Sequence, residues 1–269
     1  MGRMRSLGVT VGLAILAGSL VSCRPGTVDL RFRPAVATAT SYTTTVSVTS
    51  VSRLGDRPPE RQVDRVELEV RHTVLATDTD PAGDGTLVAV DVTDDSGARR
   101  RYQVRFDRGA QLRQIEQVDG RPAPPVGALG LAELFPAAGT VPDRRLKPGE
   151  RFPVDELVRL PGLDRPAALR GEGRVVALGV QDGDDRATIT SNSRLELPTV
   201  LLADDSTDLA GDQRTESTVV YDVSDGTVAR ADAVTVQDFE VTVRPPPGVE
   251  GEPVRGTLDI TIHSRTRRI

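Results

Sequence analysis

The chain has 269 residues and a formal net charge of −5, from 34 basic and 39 acidic residues, with two histidines, one cysteine and no tryptophan. An acidic balance with interspersed charges argues against nucleic acid as a partner, because phosphates call for a basic footprint. One cysteine excludes an intramolecular disulfide, a Cys/Cys metal site and a thioredoxin-like motif. Five Phe and three Tyr leave little from which to build stacking platforms for sugars or single strands.

Residues 1–22 have the three parts of a secretory signal: a positive start with Arg3 and Arg5, an apolar run from Leu7 to Leu20, and a short end at Val21 and Ser22. The run is interrupted by Gly8, Thr10, Gly12, Gly18 and Ser19. It is short for a hydrocarbon core of ~30 Å, which needs ~20 apolar residues. Leu20-Val21-Ser22-Cys23 resembles the lipobox of bacterial lipoproteins. That resemblance implies lipid attachment at Cys23, cleavage just before it, and an extracytoplasmic protein held on a membrane by acyl chains, each buried methylene contributing about 0.8 kcal/mol. Without residues 1–22 the chain keeps 32 basic and 39 acidic residues, a net charge of −7.

Residues 23–40, with Pro25, Gly26 and Pro34, read as a tether from the lipid, with Val28 to Phe32 a candidate first strand. From Ser41 onward period-two alternation dominates, the pattern of strands with one buried and one wet face. Tyr42, Thr44, Val46 and Val48 share a face, as do Val66, Leu68, Val70, His72 and Val74. Val88, Val90 and Val92 follow, then Tyr102, Val104 and Phe106. Turn residues separate them at Asp80 to Gly85, Asp94 to Gly97 and Asp107 to Gly109, so residues 41–120 read as an antiparallel half joined by hairpins.

Residues 121–166 break the pattern. Eight prolines lie between Gly120 and Pro166, and they limit Ala128 to Phe135 and Val154 to Leu160 to one or two helical turns each. This stretch reads as a crossover with short helices. In residues 167–269 strands resume over Arg174 to Val180, Arg186 to Leu197, Ser217 to Val223, Thr227 to Val243 and Gly256 to Ser264. Tyr102 to Phe106 with Asp107-Arg108-Gly109 is echoed by Val219 to Val223 with Ser224-Asp225-Gly226, which suggests two β units of similar plan. The expected fold is all-β and mainly antiparallel, compatible with one curved half-barrel sheet, with a few short helical segments in the crossover.

Motifs for chemistry are sparse. His72 lies on the apolar face of its strand and His263 on a wet one, with no metal-ligand spacing around either. No nucleophile elbow, Walker loop or complete Gly-x-Gly-x-x-Gly occurs; Gly171-Glu172-Gly173 meets Val176 where the third glycine belongs. Asp78 to Gly85 superficially resembles a calcium loop, but Ala82 and Ala89 stand where ligands are needed. Aspartate and glycine there, and at Asp204 to Asp208, are what tight turns recruit. The expectation is a non-enzyme with no cofactor and no metal.

In layout the ectodomain resembles the half-barrel of lipoprotein-localisation-factor-like carriers and of lipid-handling cell-wall lipoproteins of high-GC bacteria. That resemblance implies binding of a lipid or other amphiphile, with Val66, Leu68, Val70, His72, Leu131, Leu134 and Phe135 as wall or lid residues. The alternative is a structural or partner-binding surface lipoprotein, its sheet filled by its own side chains and its exposed face meeting another envelope protein. An apolar cleft of roughly 300 Å³ or more would favour cargo.

Overall fold

The computed structural model describes residues 26–269 except 78–84, 108, 111, 123–140, 143, 159–166, 182, 202–205 and 246–249. The described residues form twelve strands and no helix: β1 (Ala39–Leu54), β2 (Glu60–Ala76), β3 (Thr86–Asp94), β4 (Arg99–Phe106), β5 (Leu112–Val118), β6 (Arg121–Pro122), β7 (Arg151–Val158), β8 (Ala167–Gln181), β9 (Asp184–Leu201), β10 (Thr207–Asp222), β11 (Val228–Val243) and β12 (Val254–Arg268). All belong to one open antiparallel sheet in the order β6-β5-β4-β3-β2-β1-β12-β11-β10-β9-β8-β7. The chain therefore makes two six-stranded meanders, joined in the middle by β1 against β12. β6 and β7, consecutive in the chain, are the two edge strands of the sheet.

Alternation sets the register. In β1, Tyr42, Thr44 and Val46 are buried and stand opposite Val70, Leu68 and Val66 of β2. A slip of one residue would turn that whole set to solvent. The central seam runs from Tyr42 opposite Arg268 to Leu54 opposite Gly256. It brings the hydroxyls of Thr44 and Thr266 to 3.0 Å, so two buried polar groups satisfy each other.

Two apolar clusters lie on the same face, which is the inner one. The first meander contributes Tyr42, Leu68, Val70, Val88, Val90, Val92, Val104 and Phe106. The second contributes Phe152, Val154, Val175, Ile189, Val219 and Tyr221, joined by Val141 and Leu146 from the connection. The sheet curls toward this face. Six strand spacings separate β4 from β10, roughly 29 Å on a flat sheet, yet Ala110 at the end of β4 packs against the second cluster. Burial pushes the Tyr221 hydroxyl pKa up, and the carboxylate of Asp107 adds to that shift across the gap.

Residues 27–38 cross this end of the curl. Val28 exchanges 2.8 Å backbone hydrogen bonds with Leu146 as an isolated bridge, not as part of a strand. Val28 and Leu30 are 2% and 3% exposed in the second cluster. Phe32 packs on the first, edge to face with Phe106 at 5.5 Å. The amide of Arg33 then donates to the Asp225 carbonyl, and that of Ala37 to Val74. Gly226 permits the crossing: its φ is +71°, and a Cβ there would lie 2.0 Å from the Arg31 carbonyl oxygen.

The stretch from Val154 differs from expectation. It is strand as far as Val158, not a helical turn. Phe152 and Val154 point inward at 1% and 2% exposure, while Arg151, Pro153 and Asp155 face solvent. That is a period of two, and an edge strand tolerates proline because one side of it needs no donor. The Phe152 ring lies where Gly173 has no side chain; a Cβ there would be 2.2 Å from it. The Ala128 to Phe135 stretch lies outside the described residues.

Phe152→Ala is expected to cost about 3–5 kcal/mol, because a fully buried aromatic leaves a cavity. Val176→Ala, at a 50% exposed position in β8, is expected to stay within about 0.5 kcal/mol. Urea unfolding of both variants checks the pair.

Candidate functional site

The inner face has two ends separated by a polar belt. Across the middle of the sheet the hydroxyls of Ser191 and Ser217 meet at 2.8 Å and those of Thr215 and Thr235 at 3.1 Å. The Gln237 side-chain amide donates to the Gln213 side-chain oxygen at 2.9 Å. Each member has its partner on a neighbouring strand, so the fold leaves none of them unpaired, while their hydroxyl and amide oxygens keep spare acceptor capacity toward a polar group.

On one side of the belt are the two clusters and the crossing segment. His72 stands here, its ring 4.8 Å from Tyr42 and 5.7 Å from Phe106 between centroids. Burial lowers its pKa from 6.5 to about 4, so it is neutral at physiological pH. Leu68 and Val70 are 8% and 3% exposed, and Val66 packs beside them. Four of the expected wall residues thus come together, in or beside one cluster that includes Tyr42 and Phe106 and against which Phe32 packs. Leu131, Leu134, Phe135 and Cys23 lie outside the described residues, as do the acidic positions 78–84, 204 and 205.

Beyond the belt the inner face becomes apolar again. Ile260 stands opposite Gln237, and Leu258 opposite Phe239; Phe239 stands opposite Gly211, and Gly211 opposite Leu197. Leu195, Val241 and Ile262 are buried here. Val48, Leu169, Leu197, Leu209, Phe239, Leu258 and Ile260 keep part of their surface exposed. Gly211, at a register shift between β10 and β9, allows β11 to approach closely: a Cβ there would lie 2.0 Å from the Asp238 carbonyl oxygen. This end adjoins the β1–β2 connection and is remote from the crossing segment. Alternation puts Phe239, Val241 and Val243 on one face of their strand and Leu258, Ile260 and Ile262 on one face of theirs, but nothing local distinguishes a face packed by its own chain from one left partly open.

The outer face is polar. A coiled sheet that is concave on one side across its strands is saddle-shaped. The outer waist accordingly holds a groove of about 770 Å³, bordered by Arg65, Arg151, Glu172, Arg174, Glu216, Asp232, His263 and Arg265. His263 is exposed there. Arg151 pairs with Glu172 at 3.2 Å and Arg265 with Asp232 at 2.7 Å. Exposed pairs of this kind contribute about 0–1 kcal/mol each. Among the described residues no group of three or more His, Cys, Asp or Glu converges as a metal site. No helix among them is long and apolar enough to cross a membrane.

The chain matches no protein-family model and no curated protein.

The neutral, buried imidazole has a pH signature. The unfolded chain protonates His72 below about 6.5, the folded one only near 4. The stabilisation is therefore fully present above this window and is lost as pH falls through it, amounting to about 2–3 kcal/mol between pH 7 and 4.5. His72→Phe is expected to lack that component. Unfolding curves of both proteins at the two pH values check it, and an equal loss in both would contradict a buried neutral imidazole.

Proposed function

We propose that this protein is an envelope lipoprotein, exported by residues 1–22 and anchored through acyl chains on Cys23, whose half-barrel binds a lipid or other amphiphile and performs no catalysis. The observation that supports the binding role is the asymmetry of the inner face. One end is plugged by Val28, Leu30 and Phe32, while the other presents Phe239, Leu258 and Ile260 partly exposed beside a belt of hydroxyl and amide groups. An apolar surface bordered by polar groups suits a molecule with an acyl chain and a polar part. The cargo surface is accordingly placed beyond the belt, away from His72.

A structural or partner-binding role is the second reading, and the outer groove supports it. There Arg65, Arg151, Glu172, Arg174 and Glu216 offer both signs of charge across eight strands, which suits a polar protein surface better than an acyl chain.

The test is native mass spectrometry with lipid extraction on protein produced with export and carrying Cys23→Ala, so that no covalent lipid contributes. A stoichiometric amphiphile is expected. Phe239→Arg combined with Leu258→Arg is expected to lower its occupancy about tenfold, equivalent to ~1.4 kcal/mol, with the sheet intact by circular dichroism. A clean apo mass that persists after exposure to envelope lipids would remove the cargo reading and leave the partner surface.

A further inference from the structure

A second cavity, of about 650 Å³, lies on the outer face near the β10–β11 turn and is lined by Arg186, Arg230, Arg267 and Arg268 together with Thr218 and Asp232. Arg230 and Arg267 are direct cross-strand partners of β11 and β12. Like charges placed directly opposite each other destabilise a sheet. The neighbouring carboxylates do not remove this conflict. Asp232 accepts from Arg230 at 2.6 Å but is shared with Arg265 at 2.7 Å. Asp222 and Asp184 hold Arg186, whose side chain is only 13% exposed, at 2.7 and 2.6 Å. Asp222 also has Arg268 at 3.6 Å. Arg267 makes no ion pair among the described residues. The carboxylates of Asp184, Asp222 and Asp232 are thus taken up by Arg186, Arg230, Arg265 and Arg268, and Arg267 is left without one.

We propose that this cavity is a binding site for a phosphate group, held between Arg230 and Arg267 with Arg268 at its border. Adjacent strands place the two guanidiniums on either side of a single tetrahedral anion, and guanidinium forks donate paired hydrogen bonds to phosphate oxygens. The anion supplies the counter-charge that the fold leaves out. The phosphate belongs either to a small soluble ester or to an anionic lipid headgroup. The second source is within reach because Arg268 lies 3.5 Å from Thr227, at the turn whose Gly226 packs against Arg31 and Phe32 of the crossing segment. The site is separate from the inner-face cargo surface and stands or falls independently of it.

The test uses the full chain carrying Cys23→Ser, titrated calorimetrically with inorganic phosphate and, separately, with phosphatidylcholine vesicles with and without phosphatidylglycerol. Saturable binding of at least one probe is expected, weakened about tenfold or more by Arg267→Gln and unchanged by Arg61→Gln, an exposed arginine far along β2. Inorganic phosphate binding identifies a soluble ester as a sufficient ligand; binding only to phosphatidylglycerol vesicles identifies the headgroup. Residues 1–22 are common to all variants and cancel in the comparison. No saturable binding of either probe, or equal weakening by the two substitutions, would overturn the proposal. A thermal readout does not depend on having chosen the right probe: in phosphate-free buffer Arg267→Gln is expected to melt no lower than the parent, and a lower melting temperature would show that the arginine pair is not in conflict.

Discussion

The docking of residues 27–38 across one end of the sheet is the contact on which the rest of the architecture depends. Val28 and Leu30 enter the core of the second meander and Phe32 that of the first, so one short segment bridges two clusters that belong to opposite halves. A twelve-stranded open sheet has no intrinsic reason to keep a fixed curl, because twist alone permits a range of curvatures. With both clusters gripped by the same segment, the distance across that end is set. Ala110, Asp107 and Tyr221 can then meet over a gap that a flat sheet would hold open. The same docking leaves two residues between Cys23 and Gly26, three Cα steps with a reach of about 10–11 Å at full extension. A lipid on Cys23 would place this end of the sheet close to the bilayer.

Closing one end decides the character of the other. Among the described residues no crossing segment lies against the inner face beyond the Thr215–Thr235 and Gln213–Gln237 belt, and Phe239, Leu258 and Ile260 keep part of their surface. The belt matters because its groups are mutually satisfied, so it interrupts the apolar face at little cost in unpaired donors. The outer face follows from the same geometry. A saddle that is concave inside across the strands is concave outside along them, and the outer waist becomes a groove lined by alternating charges. The arginine cavity near the β10–β11 turn arises where that charge alternation fails.

The two meanders are built alike, and the correspondence is visible in particular residues. β4 and β10 are each the fourth strand of their half. Val104 and Phe106 point inward at 0% and 2% exposure, as do Val219 and Tyr221 at 0% and 2%. The carboxylate of Asp107 accepts from the amide of Gly109, and that of Asp222 from the amide of Ser224. In the sequence the echo pairs Tyr102 with Val219. Burial and turn chemistry shift the match by two residues, pairing Val104 with Val219 and Asp107 with Asp222. Local pattern matching keeps the period of two and so conserves the face, but it has nothing with which to choose among registers that differ by one full period.

Much of the fold was legible in the chain because alternation is a local property. Tyr42 to Val48, Val66 to Val74 and Leu258 to Ile262 carry the period of a strand whatever they pair with, and aspartate and glycine mark most of the turns between them. Long-range decisions were not legible. The joining of the halves through β1 and β12 pairs Tyr42 with Arg268, and the energy of that seam depends on a chain closure that no window of sequence samples. The Val154 to Leu160 stretch reads as a short apolar piece that the surrounding prolines limit to a helical turn or two, while the strand observed as far as Val158 depends on Gly173 making room for Phe152. For the site, sequence alone placed Val66, Leu68, Val70 and His72 on one apolar face, and the structure does bring them together. It could not show that Phe32, from the crossing segment, would pack against the cluster they join. Which apolar face is packed and which stays open is set by what crosses it, and that is a property of the tertiary structure alone.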